Sequence, residues 1–114
     1  MADDSILNTT KKLLGIEPDY TAFDLDIITH INSVFTTLQQ LGVGPEDSFF
    51  ISDATPTWSD FIGDEKNINS VKTYVGLRVR LLFDPPTTSF AIESFQNQLK
   101  ELEWRLNVQV ETVF

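Results

Sequence analysis

The sequence predicts a small all-α protein, a bundle of about four helices with one long irregular insertion. Apolar residues recur every three to four positions in several long stretches, which is the spacing of one face of a helix. Glycine and proline stand between these stretches, where helices tend to end. A chain of 114 residues, 41% of them hydrophobic, has material for one small core. We therefore expect one helical domain over residues 1–107, followed by a C-terminal tail at 108–114.

The first two helices are predicted from their start and stop signals. A first helix, capped by Asp3 or Asp4, ends at Gly15 because glycine adopts the left-handed conformation that follows many helices. A second helix starts at 19–21 and continues with helical apolar spacing as far as Gly42. Its regular spacing predicts a strongly amphipathic helix.

A proline corner joins two further helices. Pro85 lacks a backbone N–H and moves the residue before it out of the α region, so the third helix, which begins near Glu65, is predicted to end near Phe83. One of the three residues 87–89 can cap the fourth helix, which is predicted to run to about Asn107. The corner thus indicates two long helices that meet at a sharp turn.

The segment 43–64, between the second and third helices, differs in composition from the rest of the chain. It combines glycine, proline and acidic residues with large aromatic side chains, and its prolines forbid a continuous helix. We expect a short hairpin around 53–57 and one helical turn. Two interpretations stay open, since a structured long loop either packs on its own core as a lid or binds a partner.

Several large side chains lie away from the predicted core faces. Trp104 and Phe90 lie well off the apolar stripe of the fourth helix, and Tyr74 widens the apolar face of the third. An interface between subunits would bury this surplus, with Trp104 as an aromatic anchor. Alternatively, the first helix or the insertion covers it.

Two arginines of the third helix have different expected roles. Arg78 lies at the margin of the apolar stripe, which predicts an ion pair with a carboxylate of a neighbouring helix or subunit. Arg80 projects to the other side and could serve a partner.

The charge balance argues against nucleic-acid binding. Seventeen acidic and eight basic residues give a net charge of −9, whereas a DNA-binding surface needs clustered lysine and arginine. Acidity would suit a wall past which DNA moves without sticking. The chain has no cysteine, and no apolar run or N-terminal pattern predicts a membrane span or a signal peptide.

The sequence offers little for catalysis. His30 is the one histidine, so neither a zinc site nor a catalytic triad can be assembled around it, and we expect a partly buried structural role. The glycines at 42–45 lack the lysine of a phosphate-binding loop. We predict no catalytic residue, no metal and no cofactor, and therefore no enzyme.

Two motifs carry a resemblance to a known family. The corner VKTYVGLRVRLLFDPP and the later LEWRLN resemble the head-tail connector, or adaptor, proteins of long-tailed bacteriophages, and the similarity extends over nearly the whole chain. It implies a structural virion protein at the capsid vertex, made in the host cytoplasm. Its implied partners are other copies of itself in a ring, the portal protein and a tail-side stopper or completion protein. DNA would only pass through the channel, and no membrane is implied.

The residues predicted to contact neighbouring subunits or the portal are mostly aromatic or basic. They are Phe49, Phe50, Trp58, Phe61, Tyr74, Arg78, Arg80, Phe90, Trp104, Arg105 and Phe114. The tail alternates apolar and polar residues, so it could pair as a strand with a partner or order only on assembly. An alternative function is a small acidic cytosolic regulator that binds a partner helix.

Overall fold

The structure, a computed structural model, describes residues 5–45, 47, 49–62 and 68–112, with side chains as far as Val108. Its helices, in chain order, are α1 (Ile6–Leu13), α2 (Asp24–Gln40), α3 (Trp58–Ile62), α4 (Ile68–Phe83) and α5 (Ser89–Thr112). Over these ranges no strand forms, apart from an isolated bridge between Ser5 and Thr57. The all-α prediction is confirmed, with α3 as the helical turn expected in the insertion.

Helices α1 and α2 end in the same capping motif. Gly15 and Gly42 have φ angles of 79° and 85°, which glycine adopts without the strain that a Cβ would cause. The N–H of Ile16 donates to a carbonyl in the last turn of α1 at 2.8 Å, and that of Val43 donates to Leu38 in α2 at 2.9 Å. These bonds satisfy carbonyls that a helix end leaves open, so both predicted stops are confirmed.

The starts of these two helices differ from the prediction. The side chain of Ser5 caps α1 by accepting the N–H of Asn8 at 3.2 Å, while the predicted cap residues lie outside the described part of the chain. Helix α2 begins at Asp24, later than 19–21, because turns occupy the preceding residues, one closed by the Tyr20 N–H on the Glu17 carbonyl at 3.0 Å.

The core lies between α2 and α4, and α1 packs against both. The fully buried side chains of these two helices include Ile27, Ile31, Val34 and Leu38 of α2 and Val71, Val75 and Val79 of α4. They recur at the helical spacing found in the sequence. Gly76 allows α1 to approach α4 closely, since a Cβ there would lie 2.7 Å from Leu13 Cδ1.

Helix α5 folds back along α4 after the proline corner. Helix α4 ends at Phe83 as predicted, and the Thr88 hydroxyl accepts the N–H of Ala91 at 3.2 Å to cap α5. Among the described residues of α5, Leu99 and Leu106 are buried, and its main neighbour is α4.

The C-terminal tail is helical over its described part, where the sequence predicted either a strand paired with a partner or ordering only on assembly. Helix α5 continues past Asn107 to Thr112, so these residues do not form a strand. Nothing in the tail interrupts a helix, and extending an existing helix costs far less than starting a new element. Val113 and Phe114 lie outside the described residues.

Candidate assembly surfaces

The insertion folds over its own subunit, so we call residues 49–62 the aromatic lid. Trp58 and Phe61 are buried and Phe49 is half-buried. Their rings surround Phe35 of α2, with Phe61 stacked on it at 4.5 Å and Phe49 edge-on at 5.5 Å between ring centroids. The sequence left open whether this segment packs on its own core as a lid or binds a partner. These three side chains pack on the core as a lid. Phe50 is the exception, since 57% of it is exposed.

Side-chain hydrogen bonds fix the lid backbone to the helices. The Asn32 side chain of α2 accepts the Ile51 N–H at 2.8 Å and donates to the Ile51 carbonyl at 3.0 Å. At the other end the Trp58 indole N–H donates to Thr9 Oγ1 at 2.8 Å. The amide of Asn32 therefore forms hydrogen bonds with both the N–H and the carbonyl of Ile51, the two groups that would otherwise bond to a neighbouring strand.

The predicted hairpin at 53–57 does not form in the described structure. The chain pairs instead with the start of α1, where the Ile6 N–H donates to the Pro56 carbonyl at 3.1 Å and the Ser5 hydroxyl donates to the Ala54 carbonyl at 2.7 Å. Proline cannot donate to a hairpin ladder, and its carbonyl finds a donor in the first turn of α1.

Tyr74, Arg78 and Glu103 form a polar cluster between α4 and α5, the Tyr74 cluster. The buried Tyr74 hydroxyl donates to Glu103 Oε2 at 2.7 Å, and Arg78 Nη1 lies 3.5 Å from the same oxygen. Burial, and then the hydrogen bond to Glu103, raise the pKa of Tyr74 well above its usual range. The predicted ion pair of Arg78 is confirmed, and its partner lies on the neighbouring helix.

The outer side of α5 is exposed in the subunit. Phe90 is 81% and Trp104 is 67% accessible to solvent. The two lie roughly 180° and 140° around the helix from the buried Leu99, at 100° per residue. Arg105 is also exposed and pairs with Glu101 on the same helix at 2.6 Å. Trp104 and Phe90 therefore lie away from the buried face of α5, as their positions in the sequence predict.

Arg80 serves its own helix end. Its Nε donates to the Asp84 carbonyl at 2.6 Å and lies 3.8 Å from that residue's carboxylate, a placement in which a cation stabilises the C-terminus of α4. Phe114, the last predicted interface residue, lies outside the described residues.

An open groove lies where the end of α4 meets the start of α2. Its apolar lining consists of Leu14, Ile16, Phe23, Leu82 and Phe83, and its polar lining consists of Asp26, His30 and Asp84. The Phe23 and Phe83 rings meet edge to face at 5.3 Å. His30 is half-buried beside Phe83, as its predicted structural role requires. The groove as a unit was not foreseen, because it joins residues from three separate parts of the chain.

Sequence reasoning also missed a buried ion pair. Lys11 is fully buried, and its Nζ lies 2.7 Å from Asp24 Oδ1 and donates to the Pro18 carbonyl at 2.8 Å. A signal was present, since Lys11 follows Leu7 by four residues and so shares the apolar face of α1. Glu103, four residues after Leu99, gave the same signal on α5. A charged residue on an apolar stripe predicts a partner across the helix contact.

The described residues provide no group of three or more histidine, aspartate or glutamate side chains placed to hold a metal ion. No described helix has both the length and the apolar character that crossing a membrane requires.

Comparison with known proteins identifies the family. The family model described as phage connector protein matches residues 6–113. Searches of curated proteins and of solved structures returned no match. The family match covers almost the whole chain, including every described helix, and agrees with the resemblance carried by the corner and the LEWRLN motif. The chain therefore belongs to the phage connector protein family, and its role is that of a structural connector component of a bacteriophage virion.

Proposed function

We propose that the protein is the subunit of a homo-oligomeric ring in the virion neck, between the portal and the tail-side stopper. The ring continues the DNA channel from the capsid and provides the surface to which the tail attaches. Family membership supports a connector role in general. The observation that carries the finer proposal is the exposure of large aromatic side chains on the outer side of α5.

Helix α5 is long, and α4 is its main neighbour within the subunit. A helix packed on one side can bury only one stripe of side chains. Trp104 and Phe90, on the other side, leave large apolar area in water. Tryptophan is one of the residue types enriched at interface hot spots, so a contact between protein chains would explain these exposed side chains.

For the interface we retain the predicted residues that are exposed in the subunit, which are Phe50, Phe90, Trp104 and Arg105. Phe49, Arg78 and Arg80 are half-buried, so a partner could contact only part of each side chain. Trp58, Phe61 and Tyr74 are buried in the subunit's own core, so a partner could reach them only if the lid or α5 moved.

The charge of the chain fits a passage for DNA better than a binding site for it. A net charge of −9 repels the phosphate backbone and leaves the polymer free to slide. In this proposal the side chains of the ring bind the portal and the stopper, and the DNA passes through the ring without being bound.

The test is the mass of the purified chain in solution, measured by light scattering on a sizing column, alone and mixed with the cognate portal protein. A closed oligomer, or a monomer that joins the portal, supports the ring. A chain that stays monomeric in both runs contradicts it and favours the regulator that binds a partner helix.

Trp104→Ala sharpens this test. We expect the variant to lose assembly while its unfolding free energy changes by no more than about 0.5 kcal/mol, since the side chain is exposed. Gln40→Ala is the control, because Gln40 is an exposed residue at the C-terminal end of α2 and belongs to none of the proposed contact surfaces. Unfolding of the Trp104 variant would show that this residue belongs to the core.

A further inference from the structure

The groove between α2 and α4 has an aromatic floor and an unpaired acid. Phe23 and Leu82 are 40% and 50% exposed within it, so it presents apolar surface to solvent. Its two carboxylates differ, since Asp84 is close to Arg80, whereas Asp26 has no ion pair with any residue that the structure describes. With a volume of about 570 Å³, the groove is in the size range of ligand-binding clefts. A group that fits this groove would combine an aromatic ring for the apolar surface with a positive charge for Asp26.

The outer side of α5 carries that combination. Lys100 precedes Trp104 by four residues, so the two side chains are neighbours on one face of the helix. Both are exposed. Lys100, like Asp26, makes no ion pair with a described residue, whereas the nearby Arg105 is already paired with Glu101.

The groove and the Lys100–Trp104 pair cannot meet within one subunit. The groove includes Asp84, just before the start of α5 at Ser89. Trp104 lies roughly 22 Å further along that rigid helix, at 1.5 Å per residue. Trp104 lies beside the Tyr74 cluster along the helix, because its neighbour Glu103 accepts the hydrogen bond from Tyr74.

We infer that the groove of one subunit takes Trp104 of the next, with Lys100 of that second copy paired to Asp26. The contact joins two different surfaces of the same chain. Such a head-to-tail contact repeats from copy to copy and closes into a ring when the rotation allows. The inference rests on the proposed function and names the residues that would make the ring contact.

Charge reversal tests the pairing. We expect Asp26→Lys and Lys100→Glu each to weaken self-association, or ring formation on the portal, by about tenfold or more, because like charges then face each other at the contact. The double variant restores the opposite-charge pair and should recover assembly to within about threefold of the original chain. Asp47→Lys is the control for added charge, since this exposed residue follows the far end of α2. Urea unfolding verifies that each variant is folded.

The outcomes separate this inference from the proposed function. If the unmodified chain forms rings and the double variant is as defective as the single ones, the groove does not receive Lys100, and the inference fails while the ring stands. If the reversals abolish portal binding but leave self-association intact, the portal is the occupant, and the inference is again overturned. If the unmodified chain neither self-associates nor joins the portal, both fail.

Discussion

The aromatic lid and helix α5 both carry large aromatic side chains, but the lid buries most of them and α5 exposes Phe90 and Trp104. Trp58 is fully buried, whereas two thirds of Trp104 is exposed. The lid has no regular spacing of its own, so its backbone can follow whatever path brings its rings onto Phe35. Helix α5 has no such freedom, because its periodicity fixes which side chains face α4.

This difference shows how the two regions are stabilised. The lid depends on many specific bonds to α1 and α2, including both backbone groups of Ile51 held by Asn32. Helix α5 depends on one apolar stripe and the Tyr74 cluster. The lid thus completes the subunit's own core, while α5 leaves exposed aromatic side chains that we propose make contacts in assembly.

The largest expected effect is in the lid. Trp58→Ala removes a fully buried indole together with its hydrogen bond to Thr9, and should lower the free energy of unfolding by about 4 kcal/mol. Urea denaturation followed by circular dichroism measures it. Phe50→Ala, in the same segment but exposed, should change this free energy by less than about 0.5 kcal/mol. Equal losses in the two variants would contradict the distinction between buried and exposed lid rings.

The buried ion pair between Lys11 and Asp24 should give the next effect. Asp24→Asn leaves the fully buried Lys11 ammonium without its counter-charge, which should cost about 3 kcal/mol. Lys11→Met should cost less, because the Asp24 side chain is 27% exposed and water can reach the part of its carboxylate other than the buried Oδ1. Urea unfolding of both variants provides the comparison, and the reverse order would show that Lys11 is not the desolvated partner.

The smallest effect concerns the contact between α4 and α5. Tyr74→Phe removes one hydrogen bond to Glu103, which keeps Arg78 as a partner, so the loss should be about 1 kcal/mol. Slower-exchanging amides of α5 should lose protection in hydrogen exchange, while those of the lid should not. Uniform loss over both regions would mean that α5 unfolds only together with the whole subunit.

The same variant has a predicted pH dependence. Because the pKa of Tyr74 is raised in the folded state, its contribution to stability is complete below the ordinary tyrosine pKa of about 10 and is lost as the pH rises from there toward the raised value. The original chain should therefore lose more unfolding free energy between about pH 9 and pH 11 than Tyr74→Phe does. Parallel pH profiles for the two proteins would contradict a raised tyrosine pKa.

Much of the fold could be predicted because local rules and tertiary packing agree there. The stops at Gly15 and Gly42, the corner after Phe83 and the apolar stripes of α2 and α4 all follow from backbone chemistry and helical spacing. The ion pair of Arg78 and the exposed position of Trp104 follow from the same spacing. The start of the tail is helical as far as Thr112, because a short alternation of apolar and polar residues is weaker than the propagation of an existing helix.

The amino-acid sequence by itself determined the main helices and their order, the stops of α1, α2 and α4, the family and which side of α5 carries aromatic residues, because these depend on residues close together in the chain. Only the tertiary structure decided that the lid folds onto Phe35, that Lys11 meets Asp24, and that residues just after α1, at the start of α2 and at the end of α4 form one groove. These outcomes join residues far apart in sequence, whose choice among partners depends on how whole helices pack. The periodicity of the sequence predicts which residues share a face of a helix, and only the packing of the helices determines what that face contacts.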